Sequence, residues 1–431
     1  MKQIDWSQLD ERGREAALAR PEQRANMELQ DGVRAIVDAV RDGDWRGLCD
    51  IARRLDGEEP RIIPVAPVAA DARSELPRDQ VEALELAADH IRRFHLACMP
   101  SEVTVETGPG VTVRKLWRPI DRVGLYVPGG RTPLFSTMLM LAIPARVAGV
   151  REIVAVTPPR PKGGLDPLIA LAAELSGVEA VWTVGGAQAI AALAFGAGPI
   201  AKVDKICGPG NAWVAEAKRM VSGLPAGSAI DMQAGPSELM VIADDTADVA
   251  TVAADLLGQA EHDAAAQVIL VSPSRRVLKA VEPAIEKQLA DLPRGAVAQA
   301  SLGSGRSILV RDLEQAVDIA NAYAPEHLAL SVASAEALVP LVRNAGAVFA
   351  GPLAAETFGD YLAGSSHVLP TDGAARAWSG VSTYTFLKAM SVQTVTVEAA
   401  RRIAGPAALL ARMEGLEAHA RAADARLEKV S

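Results

Sequence analysis

Aromatic residues make up only 4% of the 431 positions, and cysteine occurs three times. With few aromatics, the cores fall to alanine, valine, leucine and isoleucine. Cys49, Cys98 and Cys207 are odd in number, scattered and without a CxxC pair. That excludes a disulfide scaffold and reads as reduced thiols in a cytoplasmic protein. No apolar run reaches the roughly 20 residues of a spanning helix. The opening Met1-Lys2-Gln3-Ile4-Asp5-Trp6 lacks the apolar centre of a signal peptide. Positive charge is in deficit, 44 Lys and Arg against 53 Asp and Glu for a net −9, which argues against nucleic acid or an anionic membrane as the main partner.

What is present is 49% hydrophobic and 23% charged residues, the balance of a soluble globular protein. The length is too great for one core, so two or more domains are expected. Residues 1 to about 25 read as a polar arm with one short helical run. Residues 26–56 read as a helix, with Val33, Ile36, Val37 and Val40 at helical spacing. Pro60 to Pro67 reads as a strand and Glu75 to Phe94 as a long helix with His90 and His95 at its end, both read as structural. Alternation over Val103 to Trp117 predicts an antiparallel pair around Gly108-Pro109-Gly110.

From Val123 the chain repeats apolar strand, glycine turn, helix. The turns are Pro128-Gly129-Gly130, Gly185-Gly186 and Gly208-Pro209-Gly210, the last followed by Asn211. The pattern restarts after Pro236, with helices expected at 248–262, 274–291, 312–322 and 334–343. Continuous apolar strands alternating with helices indicate parallel sheets covered on both faces, with ligands outside the carboxyl ends of the strands. From Trp378 the chain reads as mostly helical, with a strand-like Val395-Thr396-Val397 and a final helix from Ala407 to Arg426 broken at Gly415.

Polar residues stand out against this apolar background. Gln259 and His262 close an Ala-rich helix three residues apart, hence on one face. They are either a solvated end or half of a metal or substrate site. Glu326-His327 follows a helix stopped by Pro325. Phe358-Gly359-Asp360-Tyr361 and Gly364-Ser365-Ser366-His367 read as one irregular polar segment. Glu414 and His419 lie five apart on the tail helix, so they share a face only if Gly415 bends it. Two histidines, an aspartate and an amide suit an oxygen and nitrogen zinc sphere. The glycine turns either cradle a dinucleotide at helix N-termini or are tight turns with Asn211 as an N-cap; neither matches GxGxxG.

Several blocks together resemble the histidinol dehydrogenases, zinc enzymes that end histidine biosynthesis. They are GLYVPGG with PLFSTMLMLAIPARVAGV, VGGAQAIAALAFG, KVDKICGPGNAWVAEAKR, IDMQAGPSELMVIAD, DLLGQAEHD, PEHL, FGDYLAG with HVLPT, and MEGLEAHA, running from about residue 120 onward. The resemblance implies an α/β protein with two incomplete Rossmann-like parallel-sheet domains and small terminal helical pieces. Placed on this chain, the pieces are an arm at 1–25, a first domain at 26–122 and 238–377 carrying most of the site, an NAD-binding domain at 123–237, and a tail at 378–431 exchanged within a homodimer.

The resemblance further implies zinc on Gln259, His262, Asp360 and His419, and an acid–base pair at Glu326 and His327. Substrate contacts fall on Ser237, His327, His367, Glu414 and the metal ligands, and NAD contacts on Tyr126, Gln188 and Asn211. The implied activity is NAD-linked four-electron oxidation of L-histidinol to L-histidine through the aldehyde. Departures from the family pattern are Ser365-Ser366 before His367, Ala355 ahead of Glu356, and Gln233 before Ala234-Gly235-Pro236. Two other readings are a zinc and NAD enzyme for another small polar alcohol, and a non-catalytic zinc-stabilised dimer.

Overall fold

The computed structural model describes residues 1–20, 27–129, 133–232 and 235–430, with residues 428–430 described by their backbone alone. Gln233, Gly130 and the end of the arm lie outside the described residues. The chain divides into two compact units, one of residues 1–98 and 121–386 and one of residues 99–120 and 387–431.

The first unit holds two six-stranded sheets. One is wholly parallel, in the order Lys2–Asp5, Arg306–Leu309, Gln267–Ser272, Glu238–Ala243, His327–Ser331, Ala347–Ala350. The other runs Ile62–Pro64, Ala180–Thr183, Glu152–Thr157, Arg122–Tyr126, Lys205–Cys207, Ala229–Ile230, with only the Ile62–Pro64 edge antiparallel. Every residue of Glu238–Ala243 and Gln267–Ser272 is buried, as a parallel strand under helices on both faces requires. The α/β architecture expected from the repeating pattern is the one observed.

Local signals set several boundaries. Asp248 caps helix Val249–Ala260 by accepting the Thr251 N–H, and Ser274 caps Arg275–Leu289 through Val277. Other expectations fail for tertiary reasons. Among the described residues, no strand of 27–122 joins the 238–350 sheet. The Val33, Ile36, Val37 and Val40 stripe of helix Met27–Leu55 packs in one core with Ile190, Leu193 and Val214 of the other layer. Ile62–Pro64 edges that second sheet, and helix Val65–Glu75 follows it where a longer strand is expected. The N-terminal arm is no free appendage: Lys2–Asp5 is a sheet edge, and Trp6 and Ala17 are buried against Ile308 and Val317.

The second unit is a three-stranded antiparallel sheet, Leu387–Val395 beside Val111–Pro119 beside Val103–Gly108, with helices Val397–Met413 and Glu417–Val430. The antiparallel pair at Gly108-Pro109-Gly110 is found as expected. It belongs with the tail, whose nine-residue strand Leu387–Val395 replaces the expected helical stretch. The reason is non-local: the open edge of Val111–Pro119 needs a partner for its N–H and C=O groups. Gly415 does break the tail helix, at φ 75°.

Candidate active site

Strands Glu238–Ala243 and His327–Ser331 are neighbours, with Leu239 opposite His327. Helix Leu313–Tyr323 ends on Ala324 in the left-handed region, φ 56°, and Pro325 delivers Glu326 and His327 to the start of the strand. Both sequence-derived acid–base residues are buried, and both are tied to one residue. The Glu238 N–H donates to Glu326 Oε2 at 2.9 Å, and His327 Nδ1 lies 3.1 Å from the Glu238 carbonyl oxygen. A carbonyl only accepts, so Nδ1 carries the proton and Nε2 is the free base. That Nε2 is buried with no hydrogen-bond partner among the described residues. Burial drives the imidazole pKa down to about 3, so the ring is neutral near pH 7. Burial also pushes the Glu326 carboxyl well above the usual range, with Glu238, Glu356 and Asp360 adding to the rise.

These groups sit at the amino ends of their strands, where the sequence reading expects ligands at the carboxyl ends. The cause is connection geometry. Helix Val249–Ala260 runs back from the carboxyl end of Glu238–Ala243 and delivers Gln259 and His262 just before Gln267. The His262 N–H closes on the Gln259 carbonyl at 3.2 Å. Gln259 is fully buried, yet neither its Nε2 nor its Oε1 finds a partner among the described residues. An orphaned buried amide is costly unless something else satisfies it.

His262, Glu356 and Asp360 present ligand atoms all within 4.8 Å of one another. Asp360 Oδ1 is 4.0 Å from His327 Nε2, and Glu356 Oε1 is 3.7 Å from His327 Nδ1. The segment expected to be irregular is a short helix, Glu356–Tyr361, so Glu356 and Asp360 share a face four residues apart. Gly359 permits its seating: a Cβ there would stand 2.5 Å from Phe349, whose ring lies 5.9 Å from that of His327. An imidazole, two acids and an orphaned amide fit a hard or borderline divalent cation. Glu356 enters the sequence reading only as a neighbour of Ala355. The i,i+4 pair with Asp360 is the signal that could have drawn attention to it.

His367 is also placed here. Its Nδ1 lies 3.3 Å from the Asp360 carbonyl and its Nε2 3.1 Å from Thr137 Oγ1. Nδ1 therefore donates and Nε2 accepts, and burial holds the pKa near 4. Ser237 precedes Glu238, half-buried, with its carbonyl taken by the Gln267 N–H. Glu414 and His419 lie in the second unit, exposed, on either side of Gly415. The first unit thus gathers His262 and Asp360 of the expected metal set, with Gln259 one turn from His262. His419 belongs to the second unit.

The residues expected to meet a nucleotide gather at the other sheet. Gln188 and Asn211 line a cleft of about 570 Å³ with Gly186, Trp213, Ile36 and Arg54. The volume is ordinary for a small-molecule pocket. Tyr126 reaches its edge, where the hydroxyl accepts the Gly186 N–H at 3.2 Å. The Gly185 N–H and the Gln188 amide both donate to Asp56 Oδ2, at 3.2 and 3.0 Å. Asn211 Oδ1 caps its own helix through Trp213 and Val214. Both helix N-termini considered as phosphate cradles thus have N–H groups already engaged, one by a carboxylate. His95, expected to be structural, is fully buried, with neither ring nitrogen hydrogen-bonded among the described residues.

The histidinol dehydrogenase family model matches residues 18–427. The chain is 48% identical to a histidinol dehydrogenase of Xylella fastidiosa strain Temecula1 over 430 residues, covering 99% of both chains. It is 45% identical to that of Mannheimia succiniciproducens over 431 residues, covering 100% of both. The crystal structure of histidinol dehydrogenase from Elizabethkingia anophelis superposes with a TM-score of 0.95 at 37% identity, covering 100% of this chain and 98% of that one.

Proposed function

Because the chain belongs to the histidinol dehydrogenase family, and so is an oxidoreductase that oxidises histidinol in histidine biosynthesis, we propose that it runs both oxidations, alcohol to aldehyde and aldehyde to acid, with Glu326 and His327 as its proton-handling pair. The observation that carries this is the unpartnered His327 Nε2 beside Asp360, with Glu326 fixed on the same residue that fixes the ring.

Gln259, His262, Asp360 and His419 would hold one zinc ion; when bound it supplies a Lewis-acid grip on the substrate and a positive charge that favours ionised carboxylates around it. Tyr126, Gln188 and Asn211 would hold NAD, which accepts a hydride in each oxidation. Ser237, His367 and Glu414 would complete the substrate contacts. His367 meets a ligand through Nε2 only by giving up the Thr137 bond.

In the first oxidation His327 Nε2 takes the hydroxyl proton as the carbon gives up two electrons with its hydrogen. The Glu238 carbonyl keeps Nδ1–H in place, so the base is always the same nitrogen. His327 then returns its proton to solvent. Glu326 draws a proton from the water that adds to the aldehyde carbon. His327 takes a proton from the resulting hydrate as the second pair of electrons leaves, and the acid is formed. Four electrons depart in two identical steps on one base.

Support for an exchanged tail comes from the second unit itself. Leu409, Leu410 and Met413 of helix Val397–Met413 are 61%, 62% and 74% exposed beside Glu414, an apolar face of the kind a partner subunit covers. We place the enzyme in the cytoplasm as a homodimer; no described helix is long and apolar enough to cross a membrane. The test of the residue roles is Glu326→Gln. Stopped-flow NADH traces should retain the alcohol step and lose the aldehyde step. Equal loss of both would refute this division of labour.

A further inference from the structure

Arg20, from the arm that the sequence reads as peripheral, reaches the residue that organises the acid–base pair. Its guanidinium forms a fork on the Glu238 carboxylate, Nε to Oε1 at 2.5 Å and Nη2 to Oε2 at 2.8 Å. Glu238 is 2% exposed. The same Nη2 donates to the carbonyls of Tyr323 at 3.0 Å and Ala324 at 3.4 Å. The guanidinium lies 3.9 Å from the centroid of the Tyr323 ring. On the far side the Asp372 N–H donates to Glu238 Oε1 at 3.1 Å.

One side chain therefore grips two things at once. It holds Glu238, whose backbone N–H and C=O bind Glu326 and His327. It also holds the left-handed Ala324 turn that leads into that pair. A bidentate guanidinium fixes orientation as well as charge, and groups that set a reacting base to within about half an ångström govern its rate.

We propose that Arg20 is a positioning residue for the reaction, locking the Glu238 backbone and the Ala324 turn so that His327 and Glu326 keep their working geometry. The proposal rests on Glu326 and His327 being the reacting pair. Arg20 touches no substrate; it acts through Glu238.

The experiment uses the full-length, zinc-loaded protein with Arg20→Ala, Arg20→Lys, Glu238→Gln and the double variant Arg20→Ala/Glu238→Gln. Turnover per zinc-loaded site, KM for histidinol and KM for NAD are measured for each, with Glu326→Gln alongside. Arg20→Ala should lower turnover by roughly tenfold to a hundredfold while both KM values stay within about twofold, as for residues that orient reacting groups. Arg20→Lys should recover part of the loss, keeping charge but not the fork. The double variant should lose no more than the worse single variant, because both act on one device.

If Arg20→Ala fails to fold, the lysine and glutamine variants carry the same comparison. Unchanged turnover per zinc-loaded site, with only the yield of folded protein or the melting temperature falling, overturns the proposal, as do additive losses in the double variant. Failure of the underlying reading has a different mark: Glu326→Gln would then leave both oxidations intact.

Discussion

The Asp56 carboxylate accepts the Gly185 N–H at 3.2 Å, at the head of helix Gly186–Phe195. A helix start usually attracts phosphate; here it already holds an anion, and the same oxygen orients the Gln188 amide. In Asp56→Ala two donors lose their partner inside the cleft. KM for NAD should rise by about tenfold, the value of one well-placed charged hydrogen bond, while KM for histidinol stays level. Steady-state kinetics with each substrate varied in turn checks this. A parallel rise in both would detach Asp56 from the nucleotide side.

Gly359 carries the second prediction. A methyl group there stands 2.5 Å from Phe349, so Gly359→Ala must push helix Glu356–Tyr361 off its seat. Overpacking of this kind costs on the order of 1–3 kcal/mol, and displaced ligands lose roughly tenfold to a hundredfold in metal affinity. Zinc competition with a chromophoric chelator should show that weakening. Wild-type affinity would mean that the helix does not place the ligands.

How much of this was legible in the sequence follows from how local each signal is. Asp248 and the apolar period of residues 249–260 announce their helix, and Glu326-His327 stands out because Pro325 breaks the element before it. Lys2–Asp5 was not legible, since a four-residue edge strand is visible only through its neighbour Arg306–Leu309. Strand Leu387–Val395 is likewise defined by a partner some 270 positions away in sequence. In the sequence Glu356 is one acid among 53 and Arg20 one cation among 44. Both gain meaning only when the sheet brings Glu238 and His327 side by side. The placement of the pair at amino ends also depends on where helix Val249–Ala260 returns.

His95 supplies a stability prediction. The ring is fully buried and unpartnered among the described residues, and burial lowers its pKa to about 4 from the ordinary 6.5. Between those values the unfolded chain binds a proton that the folded one refuses. Stability therefore falls as pH drops from 6.5 toward 4, and is unaffected by this group above 6.5. His95→Leu removes the proton uptake. Its advantage over the wild type should grow by about 2 kcal/mol between pH 7 and pH 5, measured by urea unfolding. A constant difference across that range would contradict the account.

The proposed exchange of tails predicts complementation between inactive variants. In His419→Ala paired with His327→Gln, a heterodimer with crossed tails has one site with both lesions and one with neither. Random mixing after joint refolding should restore about a quarter of wild-type activity, half the dimers being mixed and half their sites intact. If each tail serves its own subunit, every site keeps a lesion and the mixture stays inactive.

The central claim is that one metal-dependent site carries histidinol through both oxidations on the Glu326–His327 pair. The most direct measurement is the amount of NADH formed at exhaustion of limiting L-histidinol, on metal-stripped and zinc-restored protein. The account predicts none from the stripped protein and, as four electrons require, about two NADH per histidinol after zinc is restored. One NADH per histidinol, or full activity without metal, would contradict it.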